Sequence, residues 1–501
     1  MVGDARPELF ICLVAPIGLN LKPVTDTFAE ELRSVSYETK TVKLTDILAE
    51  SGLGFDLSHK TEFERYNKYI AAGNKFSSAQ RNIMATAGIA RITAPDFQRG
   101  PSPQYKGAAF IFRQLKRPEE ADLFRFVYGS NALILGCYAP RTSRIDNLVN
   151  IMQRNERGTN RNELEAKALQ IIGIDENQSE LASGQRFLET YAKSDFILDC
   201  TSPQSIRESV ERFICCLFDH PFVSPSKDER GMFFAAGAAL RSSDLSRQVG
   251  AAIFGRSHNI IALGCNEVPK AGGGTYWHGD DEDHRDFQLG IDSNHRIKED
   301  MIRDALTRIQ RVEGWLVPNR VQMNPEEISR AALARGDTEE GPLARAMITD
   351  VIEYGRMVHA EMNAITDAAR FGRSVLGSTL YCTTMPCHMC TKLIISSGIM
   401  RVVYVEPYSK SLVREMFPDS VVIDGEPGKR VSFEPFRGVM PGSYIRFFKK
   451  GRRKAADGTA NVWAPANAIP VGASDNPAAY RDVEAQMVTW LNSQIQAMKA
   501  R

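Results

Sequence analysis

The chain has 501 residues, of which 43% are apolar and 25% charged, and a formal net charge of +1. It therefore has interior enough for two or three ordinary cores and lacks the overall positive field that draws a protein to nucleic acid or an anionic membrane. Its nine cysteines, at 12, 137, 200, 215, 216, 265, 382, 387 and 390, form no secreted disulfide framework. The N-terminus is polar, its apolar run is short, and no stretch approaches the roughly 18 residues needed to span a bilayer, so a reducing, cytoplasmic setting without a membrane partner is expected.

Taken in order, Leu9-Phe-Ile-Cys-Leu-Val-Ala15 predicts a buried strand, Pro16-Ile17-Gly18 a turn, and the amphipathic stretch from about Val24 to Ser34 a helix, which is the setting of a phosphate-binding loop. Such a loop wants several glycines and a lysine followed by Ser or Thr, because backbone amides cradle the phosphates and the lysine neutralises them. Ala15-Pro-Ile-Gly18-Leu-Asn-Leu-Lys22-Pro lacks that pattern, so Gly18 and Lys22 are candidate nucleotide-binding residues of a degenerate loop. Further strand-like runs at Thr41 to Leu44, Ala108 to Phe112, Ala132 to Cys137 and Phe196 to Leu198 alternate with helical stretches, predicting a parallel α/β sheet over residues 1–220.

Pro221 to Glu229 reads as a linker closed by a helix cap at Ser226, and a second domain is expected over 226–465. Gln248 to Phe254 and Asn259 to Cys265 are two strands around a turn. Residues 268–356 are an insertion carrying Gly272-Gly-Gly274, the acidic run Asp280 to Asp283 and at least three helices, one starting at Asn324-Pro-Glu-Glu327 with cap, first-turn proline and capping glutamate. His278, His284 and His295 near the acidic run are candidates for a second metal, with a solvated loop or subunit contact as the alternative. Thr379 to Thr383, a helix, and Arg401 to Val405 predict a parallel crossover, with Tyr408 and Lys410 just past a strand end, where open sheets bind ligands. Residues 466–501 are expected to be a tail whose last helix, about 478–498, docks on a neighbour or frays.

The chemistry concentrates in Met357-Val-His359-Ala360-Glu361 and Met385-Pro386-Cys387-His-Met-Cys390. A catalytic zinc takes three protein ligands and leaves the fourth position to water, which suits His359, Cys387 and Cys390. Glu361, two residues past the histidine at a helix opening, is then the catalytic proton shuttle. Pro386 favours a helix start at the cysteines, where backbone N–H groups and the helix dipole stabilise thiolates. Either half alone is weak: Cys-x-x-Cys also serves redox pairs and structural zinc, and His-x-Glu is common. Together, in this order, they are the pattern of zinc-dependent base deaminases.

Two resemblances follow. The first 220 residues resemble, in element order, the nucleoside monophosphate kinase branch of P-loop proteins, with Arg141 to Asn160 at the place of an arginine-bearing lid and Ser194-Asp-Phe-Ile-Leu-Asp199 as the last strand. The incomplete loop weighs against phosphoryl transfer and leaves nucleotide binding or a structural role. With Ser246-Arg247-Gln-Val-Gly-Ala251 and Gly264-Cys-Asn266-Glu-Val-Pro269 added to the metal motif, the C-terminal half resembles deoxycytidylate deaminases, and nearly the full chain resembles the bacterial anti-phage dCTP deaminases. That resemblance implies a cytidine/deoxycytidylate deaminase-like α/β domain, Zn2+ and hydrolysis of dCTP or dCMP to the uracil nucleotide during infection. It further implies Asn266 on the sugar hydroxyl, Ala360 N–H on the pyrimidine carbonyl, and Arg247, Tyr408 or Lys410 on sugar or phosphate. A homo-oligomer and a regulatory nucleotide or RNA are expected partners. A tRNA or single-stranded DNA deaminase, which usually needs a basic groove with stacking aromatics, and a nucleotide sensor with a vestigial site are the alternatives.

Overall fold

The computed structural model describes residues 6–500 apart from 157, 177–183, 335–339, 409–410, 426–427, 475 and 477. The chain forms two compact units, Met1–Glu229 with Phe436–Arg501, and Arg230–Pro435. The sequence places the second domain's end at 465 and a separate tail after it. In the structure the chain instead re-enters the first unit at Phe436, and the two-residue strand Gly438–Val439 pairs antiparallel with Phe196 and Ile197.

The first unit is built on β1 (Leu9–Val14), β2 (Tyr37–Lys43), β3 (Gly107–Arg113), β4 (Ala132–Tyr138) and β5 (Phe196–Asp199), all parallel. Starting from Gly438–Val439, the sheet runs β5, β4, β1, β3, β2. Strand β1 is central, and every residue in it is buried because both faces are covered. Its odd positions meet the helices Lys22–Ser34 and Pro203–Leu217, where the rings of Phe28 and Phe213 lie 6.0 Å apart. From the even side Phe10 stacks on Tyr128, with Tyr480 edge-on. Strand β2 begins four residues before the predicted one, and Leu44 opens a helix instead of ending a strand. As an edge strand its Glu38 to Thr41 stretch is only partly buried, so it lacks the apolar run that marks the inner strands.

The C-terminal helix, Ala478–Lys499, packs on Ile83–Thr93 within the first unit; it neither frays nor waits for a neighbour. A buried polar cluster pins it: Arg99 bridges Glu8 (2.8 Å) and Glu484 (2.7 Å), Tyr128 donates to Glu484, and Tyr480 donates to Glu8. No helix among the described residues is long and apolar enough to cross a membrane.

The second unit holds β6 (Gly250–Phe254), β7 (Ile260–Cys265), β8 (Thr379–Thr384), β9 (Arg401–Glu406), β10 (Val421–Ile423) and β11 (Val431–Pro435), in the order β10, β11, β9, β8, β6, β7. Strands β8 to β11 are parallel, while β6 runs antiparallel to both β7 and β8. The helix Ala360–Arg370 lies across β7 and β6. Gly264 permits this, since a Cβ there would sit 2.2 Å from Ala360 O and 2.5 Å from Ala364 N. The insertion contributes the helices Asp286–Leu289, Ser293–Gln310, Pro318–Val321 and Pro325–Leu333, the last opened by the expected reciprocal cap between Asn324 and Glu327.

Arg99→Ala leaves the Glu484 carboxylate, 2% exposed, without its cation, so about 3–5 kcal/mol of stability should be lost in chemical denaturation. Burial alone would raise the Glu8 carboxyl; the bonds and charge of Arg99, with Tyr480, more than reverse this and hold it below its ordinary 4.5. A carboxyl with a depressed folded-state value stabilises fully above the unfolded value and loses that contribution as the pH falls through the folded one. Wild-type stability should therefore decline as the pH drops below about 4.5, and Arg99→Ala should shrink that part of the acid dependence.

Candidate active site

Two helix N-termini meet over one face of the second unit's sheet. His359 is the N-cap of Ala360–Arg370, and Cys387, directly after Pro386, is the N-cap of His388–Ser396. Cys390 lies one turn along, on the same face as Cys387. The crossover from β8 through this helix to β9 brings the cysteine pair beside the histidine. His359 Nδ1 is 3.4 Å from Cys387 Sγ and 3.3 Å from Cys390 Sγ. The three donor atoms lie within 4.8 Å of one another, the only such group among the described residues.

The donors fit zinc. With Zn–S near 2.3 Å and Zn–N near 2.0 Å, tetrahedral angles put nitrogen and sulfur ligands about 3.5 Å apart, close to the two separations found. Two sulfurs and one imidazole also leave a fourth position open, as catalytic zinc requires. His278, His284 and His295 are solvent-facing and form no second donor group, the latter two lying 3.6 Å from Glu282 and 3.2 Å from Glu299.

Burial raises the Cys390 thiol, and a metal cation binds such a donor set by displacing its protons. The Cys390 contact, opposed by burial and aided by His359, draws the Cys387 thiol down to about 4, within the thiolate range at neutral pH. Burial would keep His359 neutral, but the Cys387 thiolate beside it holds the ring up to about 9. Burial and then the Cys387 charge raise Glu361, whose side chain is 4% exposed.

His359, Ala360, Glu361 and Cys387 share a cavity of about 420 Å³ with Asn266, Arg247 and Tyr408, a size that suits a small ligand. Ala360 is the first helical residue, so its N–H is one of those without an intrahelical acceptor. Arg247 reaches Glu406 at 3.2 Å and is half exposed, while burial and the Cys387 charge raise the Tyr408 phenol. Asn266 is more committed than its sequence context suggests. Its Oδ1 accepts from Val249 N (2.7 Å), and its Nδ2 donates to Asp244 Oδ2 and Arg247 O (both 2.6 Å), leaving one oxygen lone pair for a ligand. Lys410 lies outside the described residues.

Sequence reasoning missed Asp244 and the part played by the insertion. Asp286, Asp292, Asn294, Lys298 and Thr349 line the same cavity, with Lys298 Nζ donating to Thr349 O. None of them sits in a motif, and only the long-range return of the insertion brings them here. Gly18 and Lys22 line a separate cavity within the first unit. Gly18, at φ +92°, packs against Arg144, and Lys22 pairs with Asp26 at 2.6 Å.

Residues 225–406 match the family described as the cytidine and deoxycytidylate deaminase zinc-binding region. Among curated relatives, the chain is 35% identical over 102 residues to the deoxycytidylate deaminase of Enterobacteria phage T2, covering 20% of this chain and 54% of that protein. It is 36% identical over 101 residues to the phage T4 deoxycytidylate deaminase (20% and 52%), and 36% over 90 residues to ComE operon protein 2 of Bacillus subtilis (16% and 48%). The chain thus spans about half the length of the curated relatives it matches. Among solved structures, dCMP deaminase from the cyanophage S-TIM5 in complex with dCMP and dUMP aligns at 18% identity and a TM-score of 0.23, covering 43% of this chain and 100% of that one.

Elemental analysis of the purified chain should find about one zinc per molecule, matching the single donor group among the described residues. Cys387→Ser and His359→Ala, each removing one of three ligands, should lose most of it on dialysis against a mild chelator, whereas Glu361→Ala should keep it. Full occupancy in the Cys387→Ser protein would remove these residues from the metal site.

Proposed function

We propose that the protein is a zinc-dependent hydrolytic deaminase of free deoxycytidine nucleotides, converting dCMP or dCTP to the uracil nucleotide and ammonia. The observation that carries this reading is a buried carboxyl, Glu361, in one small cavity with a His-Cys-Cys donor set. The matched zinc-binding region supports the reaction class, and the names of the phage relatives support a deoxycytidylate.

His359, Cys387 and Cys390 hold the zinc, which when bound supplies the Lewis acidity that makes a water nucleophilic near neutral pH. Glu361 takes a proton as the water oxygen bonds to C4 of cytosine and delivers it to N3. A second proton, from the new hydroxyl, passes through Glu361 to the exocyclic nitrogen. The C4–N4 bond then breaks, ammonia leaves, and the ring retains N3–H as uracil. Burial of Glu361 favours its protonated state between these transfers. In this reading the Ala360 N–H binds the base carbonyl, and the remaining Asn266 lone pair accepts from a sugar hydroxyl. Arg247 and Tyr408 line the same cavity, and in this reading they meet the sugar and phosphate.

Charge supports a free nucleotide over a polymer. Among the described residues the cavity lining carries Asp244, Asp286, Asp292, Asp350 and Glu361 against Arg247 and Lys298. Polymer affinity rests on many phosphate contacts from a basic tract, and this lining offers none. The resemblance to anti-phage dCTP deaminases extends the reading to a cellular role, depletion of dCTP during infection.

Purified protein with each cytosine nucleotide should yield the uracil product on chromatography, and Glu361→Ala should be slower by at least ~10²–10⁴ while keeping its zinc. Cells carrying the wild type under phage challenge should lose dCTP and gain dUMP or dUTP, and Glu361→Ala cells should not. Level pools together with edited cytosines or adenosines in RNA or DNA would replace this reading with the polymer one.

A further inference from the structure

The insertion brings one face of the helix Ser293–Gln310 to the cavity that holds Glu361, and the proton transfers at the base need nothing from it. Asn294 and Lys298, four residues apart and so on one helix face, both line that cavity. The start of this helix also grips the irregular segment that runs on toward His359. Ser293 Oγ donates to Tyr354 O (3.1 Å), Asn294 Nδ2 donates to Val351 O (2.9 Å) while its Oδ1 accepts from Tyr354 N (3.3 Å), and Lys298 Nζ donates to Thr349 O (2.9 Å).

Two cations, Arg247 and Lys298, line the cavity among the described residues, and they differ in how far their charge is already met. Arg247 is half exposed and lies 3.2 Å from Glu406, so an anion that reaches its guanidinium also meets that carboxylate. Lys298 is partly buried and has no carboxylate within 4.0 Å among the described residues. Its Nζ spends one of three donors on Thr349 O, a neutral acceptor that holds the ammonium in place without cancelling its charge. A positive group held in this way takes an anion with little reorganisation.

Three carboxylates on the same lining are engaged elsewhere. Asp286 Oδ1 accepts from Arg356 (2.9 Å), Asp244 accepts from Asn266 Nδ2 (2.6 Å) and Ser246 N (2.7 Å), and Asp292 accepts from Asn294 N (2.8 Å). Lys298 is thus the lining cation whose charge a ligand can still use.

We propose that Lys298, more than Arg247, holds the phosphate of the substrate, and that the insertion thereby makes the cavity select a nucleotide over the nucleoside. This assignment rests on the deaminase reading of the cavity. A cytosine nucleoside and its 5′-phosphate present the same base to Glu361 and the same sugar hydroxyl to Asn266, so those groups cannot tell the two apart. A cation supplied by the insertion can. With two donors free, Lys298 bonds a phosphate oxygen while keeping Thr349 O, and the new bond is charge-assisted on both sides.

The test is calorimetric titration of the full chain carrying Glu361→Ala, so that ligands are not consumed, with dCMP, dCTP and deoxycytidine. Adding Lys298→Gln should weaken dCMP and dCTP by about 10-fold or more, as expected for a charge-assisted hydrogen bond, and deoxycytidine by a smaller factor. Lys298→Arg should recover part of the loss, and Arg247→Gln should cost less than Lys298→Gln. Ser293→Ala, which loosens the same segment without removing a charge, should not separate nucleotide from nucleoside. Zinc content and thermal midpoint report folding; should Lys298→Gln lose either, Lys298→Met, which keeps the aliphatic stem, carries the same comparison. The proposal fails if loss of the Lys298 charge weakens nucleotide and nucleoside alike, if it leaves dCMP and dCTP unaffected, or if neither nucleotide binds the parent below about 1 mM. It fails as well if Arg247→Gln alone abolishes the preference for nucleotides. Lys298-dependent binding with no uracil product from the wild type overturns the reaction alone, whereas uracil product with an affinity indifferent to Lys298 overturns this assignment alone.

Discussion

Three soft donors can converge on a cation only if the elements that carry them start at the same place. In the second unit this constraint governs the layout of the sheet. Two helices begin side by side, one with His359 as its cap and one with Cys387. The parallel connection from β8 to β9 fixes the second, and the flat seating of Ala360–Arg370 on β7 fixes the first. Gly264 is the point at which the seating is decided, because any side chain there would lift the helix from the strand and carry His359 and Glu361 away from the cysteines. Aligned peptide dipoles at both N-termini then favour the negative sulfurs that the metal needs.

The wall facing this triangle is assembled differently. Asn266 at the end of β7 ties down the segment Asp244–Val249 through three hydrogen bonds, so one buried amide positions Arg247 as well as itself. The return of the insertion at Ser293–Lys298 and Thr349–Asp350 supplies the remaining side. The other groups lining the cavity therefore depend on buried amide bonds and distant packing, whereas the donor triangle depends on two helix starts. Changes in the insertion can alter what the cavity accepts without disturbing the donor set.

This division explains how much was legible in the sequence. The donor triangle and Glu361 rest on local spacing, and spacing is written in the chain. The inner strands were legible because burial on both faces demands an unbroken apolar run, as in Leu9–Val14 and Ala132–Tyr138. Edge strand β2, with Glu38, Thr39, Lys40 and Thr41 in its middle, gives no such run and was misplaced. The return of the chain to the first unit at Phe436 was illegible, since its strand is two residues long and its cross-links, such as Arg99 to Glu484, join residues hundreds of positions apart. Asp244 and Lys298 were missed for the same reason. Their place in the cavity comes from the fold and from no motif.

In the loop after β1, Ala15-Pro-Ile-Gly18, the departure from a phosphate-binding pattern has a structural counterpart. A phosphate-binding loop works because its amides and a lysine face a space that is empty until the anion arrives. Here Asp175 fills that space, taking Ile17 N–H with one oxygen and Lys116 with the other, much as a phosphate would. An incoming phosphate would have to expel a fully buried carboxylate and strand it without a partner, which costs several kcal/mol before any new bond forms. A loop so occupied has no use for extra glycines to bring more amides toward an anion, and Ala15-Pro-Ile-Gly18 can stand where a glycine-rich run would otherwise be required. The missing motif is thus the trace, in the sequence, of an internal ion pair.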